Sequence, residues 1–207
     1  MADLTPRPVG RRYPRNVVIV VTEGETERIF FNSLKQRNLN LEIRLYKGKR
    51  TNARQLVENC VKRIQMEELD LEDGDIIICA FDVDNNSQKD LKQALDTAEK
   101  NGITVALSNP CFELWYLLHF RDIDHRISSK EVRTELSTHV KHYDKTQDYR
   151  EILTPRRRGA VVRAKTIAKK RCITGMDGYS DIGNNPCTSV HLALNAIERL
   201  IKKNLQK

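Results

Sequence analysis

This 207-residue chain lacks paired cysteines, clustered histidines and long apolar runs, and each absence removes a class of protein. The five cysteines, Cys60, Cys79, Cys111, Cys172 and Cys187, are odd in number and far apart, with no C-x-x-C pair and no Cys/His pairing at zinc spacing. That excludes a disulfide framework or a thiolate zinc site as the organising feature, and it fits reduced, mostly buried thiols in the cytosol. The longest apolar stretch, around Leu114 to Phe120, is too short to cross a membrane. The opening M-A-D-L-T-P-R-P-V-G-R-R carries arginines with no apolar core behind them, so residues 1–14 read as a flexible basic arm on a cytoplasmic protein. Gly48-Lys49 lacks both the upstream glycine and the Ser/Thr directly after the lysine that a phosphate-cradling P-loop needs.

What the chain does hold is an alternation of strand and helix patterns over residues 15–120. Val17 to Val21 is a β-branched apolar run with no polar alternation, the signature of a strand covered on both faces. It ends in T-E-G-E-T-E, where Gly24 permits a tight turn, Thr22 and Glu25 stand at capping-box spacing, and Ile29 to Leu34 supply a buried helix side. Leu41 to Tyr46 alternates like a strand with one wetter face at a sheet edge, and Ala53 to Ile64 has helical spacing. Ile76 to Phe81 is a third strand, Leu91 to Ala98 a helix, and Ile103 to Leu107 a fourth strand before the helix opened by Pro110. This predicts an α/β fold with a four-stranded parallel sheet flanked by helices. Beyond Phe120 the strand-like runs stop, so residues 121–207 are expected to form a helical, basic extension packed on the sheet.

Charge divides the same way. Residues 1–120 hold 17 basic and 18 acidic side chains, whereas 121–207 hold 19 and 10. A basic flank beside an acidic cleft suits a protein that handles a polyanion, because carboxylates alone repel phosphate. The acids fall at strand ends: Glu23 and Glu27 after the first strand, Asp82 and Asp84 at the end of the third, and Glu113 after the fourth. In open α/β sheets, ligands bind at the carboxyl ends of the strands. Clustered carboxylates raise one another's pKa unless a cation compensates, and oxygen-only ligands favour Mg²⁺ or Mn²⁺ over Zn²⁺. The bland alternative is that glutamates merely favour the positive end of a helix.

V-V-T-E-G-E-T-E followed by F-D-V-D resembles the Toprim fold shared by topoisomerases, bacterial primases, OLD-family nucleases and RNase M5. Within it the chain is similar to the RloB family, through E-G-E-T-E, F-D-V-D, S-N-P-C-F-E-L-W-Y-L-L-H-F from Ser108 to Phe120, and N-P-C-T-S-V-H from Asn185 to His191. The resemblance implies a metal-dependent nuclease acting on DNA or RNA, with Glu23 as acid/base residue or metal ligand, Asp82 and Asp84 holding Mg²⁺, and Glu27 as a further ligand. It also implies a bacterial defence (abortive infection) role, with an ATPase partner encoded nearby, and it leaves a homo-oligomer open. Asn86 stands where topoisomerase-type members extend the pattern with a third Asp, so occupancy by a second metal stays open.

Lys47, Lys49 and Arg50 in the basic loop, and Arg156, Arg157, Arg158 and Arg163 in the extension, are the candidate phosphate contacts; a solvated basic run is their bland reading. Trp115 and Phe120 read as core, and His119 and His191 as buried, hydrogen-bonded histidines rather than proton shuttles. Two other functions fit the D-x-D pattern in part. One is a haloacid-dehalogenase-type phosphatase using Asp82 as nucleophile. The other is a non-catalytic Toprim-like module that binds nucleic acid or an ATPase.

Overall fold

The computed structural model describes residues 16–35, 41–48, 52–83 and 86–206. The residue 1–14 arm, Lys49, Arg50 and Asp84 lie outside that set. The chain forms an α/β fold around a five-stranded, mostly parallel sheet in the order β2-β1-β3-β4-β5. The strands are β1 (Asn16–Thr22), β2 (Leu41–Lys47), β3 (Ile76–Asp82), β4 (Thr104–Asn109) and the two-residue β5 (Cys187–Thr188). The uninterrupted apolar runs become the two central strands. Val18 to Val21 and Ile77 to Phe81 are almost wholly removed from water, because helices cover the sheet. β2, with alternating burial, is the edge strand its pattern predicts.

The order of the strands positions the site. From β1 the chain moves outward through α1 (Glu25–Asn32) to β2, then returns through α2 (Ala53–Met66) to β3 on the other side of β1. Consecutive connections thus leave β1 in opposite directions. Such a reversal opens a crevice at the carboxyl ends of the two strands concerned, here β1 and β3. The crossing continues through α3 (Gln88–Lys100) to β4, whose end leads into α4 (Glu113–Leu117).

The remaining elements are α5 (Ser129–His139), α6 (Arg150–Leu153), α7 (Arg157–Lys170) and α8 (Val190–Leu205). α5 opens with a full capping box between Ser128 and Glu131. Among the described residues no helix is long and apolar enough to cross a membrane.

Three expectations are corrected. The segment beyond Phe120 is not purely helical, since β5 pairs antiparallel with β4 through Ser108 and Asn109, making the sheet five-stranded rather than four-stranded. A two-residue strand has too little period-2 pattern to register in sequence. Thr22 does not cap α1: its hydroxyl donates to the Gly24 carbonyl at 3.2 Å, and Gly24 itself is the N-cap with no side-chain bond. The Pro155-Arg156-Arg157-Arg158-Gly159 stretch reads from its proline and glycine as a basic turn ahead of a helix; the structure instead makes a 3₁₀ turn, Thr154–Arg156, running directly into α7 from Arg157.

β5 is joined to the parallel sheet by side chains as well as backbone. The Ser189 hydroxyl donates to the Val105 carbonyl and accepts the Leu107 amide, both at 2.8 Å, with no water reaching it. Asn185 accepts the Ile127 amide at 2.9 Å and donates to the Ile127 carbonyl at 2.9 Å and the Asn109 Oδ1 at 3.2 Å. Asn109 in turn donates to the carbonyls of Ile182 and Asn184. Buried polar groups keep their partners because losing one costs about 1–3 kcal/mol. The two N-P segments are therefore halves of one lock.

Candidate functional site

Glu23 follows β1 directly and extends its ladder, donating its amide to the Ala80 carbonyl on β3 at 3.0 Å. Its carboxylate then bends across the crevice to accept the Asp82 amide at 3.2 Å. The two sequence-predicted acids on different strands, 59 residues apart in the chain, are thereby held together at the reversal point. Next to them, the Val83 amide donates to the Ser108 carbonyl at 2.9 Å, so the end of β4 is laced to the same place.

Glu27, in the first turn of α1, is buried to 4% exposure. Its carboxylate folds back over Gly24 so closely that a Cβ on that residue would lie 2.5 Å from Glu27 Oε2. Gly24 has φ −112° and ψ 178°, extended backbone that any residue adopts. The glycine is needed for space, not for the turn conformation expected of it. Burial pushes the Glu27 carboxyl up from 4.5 to about 7, and the nearby Glu23 and Glu113 charges push the same way. Its own backbone amide and Lys145 act in opposition.

Glu113, 2% exposed, opens α4 after the β4 end. It accepts the Tyr143 hydroxyl at 3.3 Å, and Lys145 Nζ lies 3.2 Å from the same Oε1. Cys111 sits between the acids. Burial pushes its thiol well up, with further upward pressure from Glu113 and Asp82, so it stays protonated at neutral pH.

Glu23, Glu27, Asp82 and Glu113 therefore share one neighbourhood. Among the described residues, however, no three His, Cys, Asp or Glu side chains converge closely enough to ligate a metal ion. Asp84 lies outside the described residues. The donors themselves are all carboxylate oxygens, with the one adjacent thiol protonated, and that chemistry suits a hard divalent cation.

Asn86 has a different use from the third D-x-D position. Its Oδ1 accepts the Ala53 amide at 2.8 Å and its Nδ2 donates to the Asp82 carbonyl at 3.0 Å, tying the start of α2 to the end of β3.

The basic candidates scatter. Lys47, exposed at the end of β2, is 3.6 Å from Glu25, which also pairs with Arg28. Arg156 donates to the Ile152 carbonyl at 2.8 Å. Arg163 donates to the Leu118 carbonyl at 2.9 Å and lies 3.3 Å from Asp122, and Arg157 is half-buried beside His119. Cations at a helix carboxyl terminus satisfy its last carbonyls. Arg163 thus anchors α7 to α4, and Arg156 and Arg158 are the exposed members of the triplet.

Trp115 is core, fully shielded from water. His119 Nδ1 donates to the Trp115 carbonyl at 2.8 Å, and burial pushes His119 and His191 each down to about 4. Both are neutral at physiological pH and neither is a neutral-pH proton shuttle. Sequence reasoning missed Tyr143 and Lys145. They lie 30 and 32 positions from Glu113, in a polar stretch with no motif or periodicity to single them out.

The fold and its acids define a mostly parallel α/β protein with a carboxylate-lined crevice at the switch point of the sheet. A protein-family model described as RloB-like protein matches residues 18–197, and the chain belongs to that family. No curated protein and no solved structure matches it.

Proposed function

We propose that this protein is a Mg²⁺-dependent nuclease of Toprim type, cleaving phosphodiester bonds in DNA or RNA as an effector of bacterial anti-phage defence. The observation that carries the reading is the Glu23 carboxylate on the Asp82 amide, which joins the acidic ends of β1 and β3 beside buried Glu27. Glu23, Glu27, Asp82, Asp84 and Glu113 would hold the cation. A bound Mg²⁺ or Mn²⁺ supplies charge that polarises a phosphoryl oxygen and lowers the pKa of water.

The chain's own residues prepare for that. The Asp82 amide fixes the Glu23 carboxylate in place at the strand end, where it would orient a water or accept its proton. Glu27, at about 7, is protonated in roughly half the molecules at neutral pH and releases its proton when the local negative charge is neutralised. The net charge of +8 draws in a phosphate chain that the acids would otherwise repel.

The test is incubation of the purified protein with plasmid, single-stranded DNA and bulk tRNA, each with Mg²⁺, Mn²⁺ or EDTA, beside Glu23→Ala and Asp82→Asn. Cleavage by wild type with metal alone supports the reading, and identical cutting by the variants defeats it. A covalent aspartyl-phosphate at Asp82 would establish a phosphatase instead.

A further inference from the structure

Between α5 and α6 a strap from Val140 to Tyr149 runs against Glu113 at the edge of the acidic neighbourhood. The strap is held at defined points. The Tyr149 hydroxyl accepts the Asp144 amide at 2.7 Å and donates to the Asp144 carbonyl at 3.2 Å. The Asp144 carboxylate accepts both the amide and hydroxyl of Thr146, at 2.7 and 2.6 Å. The rings of Tyr116, Tyr143 and Tyr149 pack at 5.4–6.3 Å between centroids. From this frame the strap delivers two donors to one atom, Tyr143 Oη and Lys145 Nζ to Glu113 Oε1.

The burial of the two partners differs sharply. The Glu113 side chain is 2% exposed and that of Lys145 56%, so a wet lysine stem reaches in and places only its tip on a buried carboxylate. The Lys145 charge is also felt at Glu27. The ammonium thus neutralises one buried carboxylate of the crevice, part of the role a divalent cation would fill. A lysine suits a reversible version of that role, being a compact charge with three donors on a flexible stem. Tyr143 keeps Glu113 oriented whether or not the lysine stays.

We propose that Lys145 is a displaceable counter-ion of the acidic crevice, holding Glu113 while no divalent cation is bound, giving way when one binds, and then contacting the scissile phosphate. The proposal rests on the nuclease reading for its last step. The released ammonium remains tethered at the crevice mouth, where a phosphodiester must lie for the carboxylates to act on it. Arg163 does not fill this place, since its guanidinium is bonded to the Leu118 carbonyl at the end of α4.

The experiment uses the full chain and its Lys145→Ala and Lys145→Arg variants. Mn²⁺ affinity is measured by electron paramagnetic resonance, Lys145 acylation by mass spectrometry with and without Mn²⁺, and single-turnover cleavage on the nucleic acid wild type cuts. Acylation of Lys145 should rise on Mn²⁺ addition. Lys145→Ala should bind Mn²⁺ about tenfold more tightly, the equivalent of about 1.4 kcal/mol. It should also cleave roughly 10²–10³-fold more slowly, the loss expected for one preorganised donor to the reacting group. Lys145→Arg should recover part of the rate. Unchanged Mn²⁺ affinity in Lys145→Ala, or cleavage at the wild-type rate, overturns the proposal. If wild type binds Mn²⁺ yet cuts nothing, the nuclease reading and the phosphate contact fall together, while Mn²⁺ affinity and acylation still decide the counter-ion exchange.

Discussion

Replacing Glu27 by Gln should stabilise the metal-free protein, and by an amount that depends on pH. The carboxyl has an ordinary value of 4.5 and is raised to about 7 in the fold, chiefly by burial. A group of this sign favours its neutral form in the folded state, so it carries no penalty below about pH 4.5. The penalty grows as pH rises through the window from 4.5 to about 7 and is then constant. At about 1.36 kcal/mol per pH unit, the gap corresponds to roughly 3 kcal/mol above neutrality. Gln keeps the shape and one donor of the protonated acid without its charge. Urea unfolding across the range from about pH 5 to about pH 8.5, with chelator present, should show the variant near wild type at the acid end. At the alkaline end it should be about 2–3 kcal/mol more stable, or about 4–12 °C in Tm for a chain of this length. Saturating Mg²⁺ should narrow the gap, because ligand binding to the folded state adds RT ln(1 + [L]/Kd), and wild type, with one more carboxylate ligand, has the lower Kd. A difference that is flat with pH, or a Gln variant less stable than wild type at alkaline pH, would refute the desolvation argument and mean that Glu27 is fully paired as an anion.

Four further outcomes follow from the same geometry. Gly24→Ala should displace the Glu27 carboxylate, since the new Cβ would meet its Oε2 at 2.5 Å; Mn²⁺ affinity should fall at least tenfold with under about 1 kcal/mol lost in unfolding. Asp82→Asn should lower metal-dependent cleavage by about 10²-fold or more while leaving the far-ultraviolet dichroism spectrum unchanged. Asn185→Ala orphans the Ile127 amide and carbonyl, and should cost about 2–4 kcal/mol in chemical denaturation. Arg158→Ala should reduce the salt dependence of nucleic-acid binding by about 0.7–0.9 in slope per lost phosphate contact, whereas Arg163→Ala should lower thermal stability and leave that slope alone.

Much of the frame was legible from residue patterns. Two continuous β-branched runs could only be strands buried on both faces, and they are β1 and β3. The alternation of Leu41 to Tyr46 placed β2 at the edge, and Ser128 with Glu131 marked the start of α5. Strand ends also told which acids to collect, because a carboxylate directly after a central strand of an open α/β sheet has one cleft to enter. The two-residue β5 was not legible, since its pairing depends on Ser189 and Asn185 meeting a strand some 80 residues earlier. The surroundings of the arginine triplet were not legible either, because a run of like charges looks the same whether it faces solvent or meets a helix: Arg156 donates to the Ile152 carbonyl, and Arg157 is half-buried.

Local sequence determined the elements and the residue types at their ends, because period, capping and turn chemistry act over a few positions. Only the tertiary structure decided which ends meet: Glu23 on the Asp82 amide, Glu27 over a glycine with no side chain to block it, and Lys145 on Glu113. Those contacts depend on strand order and on burial. A carboxylate's charge state and a lysine's partner are consequences of neighbours brought from elsewhere in the chain, and no window of sequence contains them.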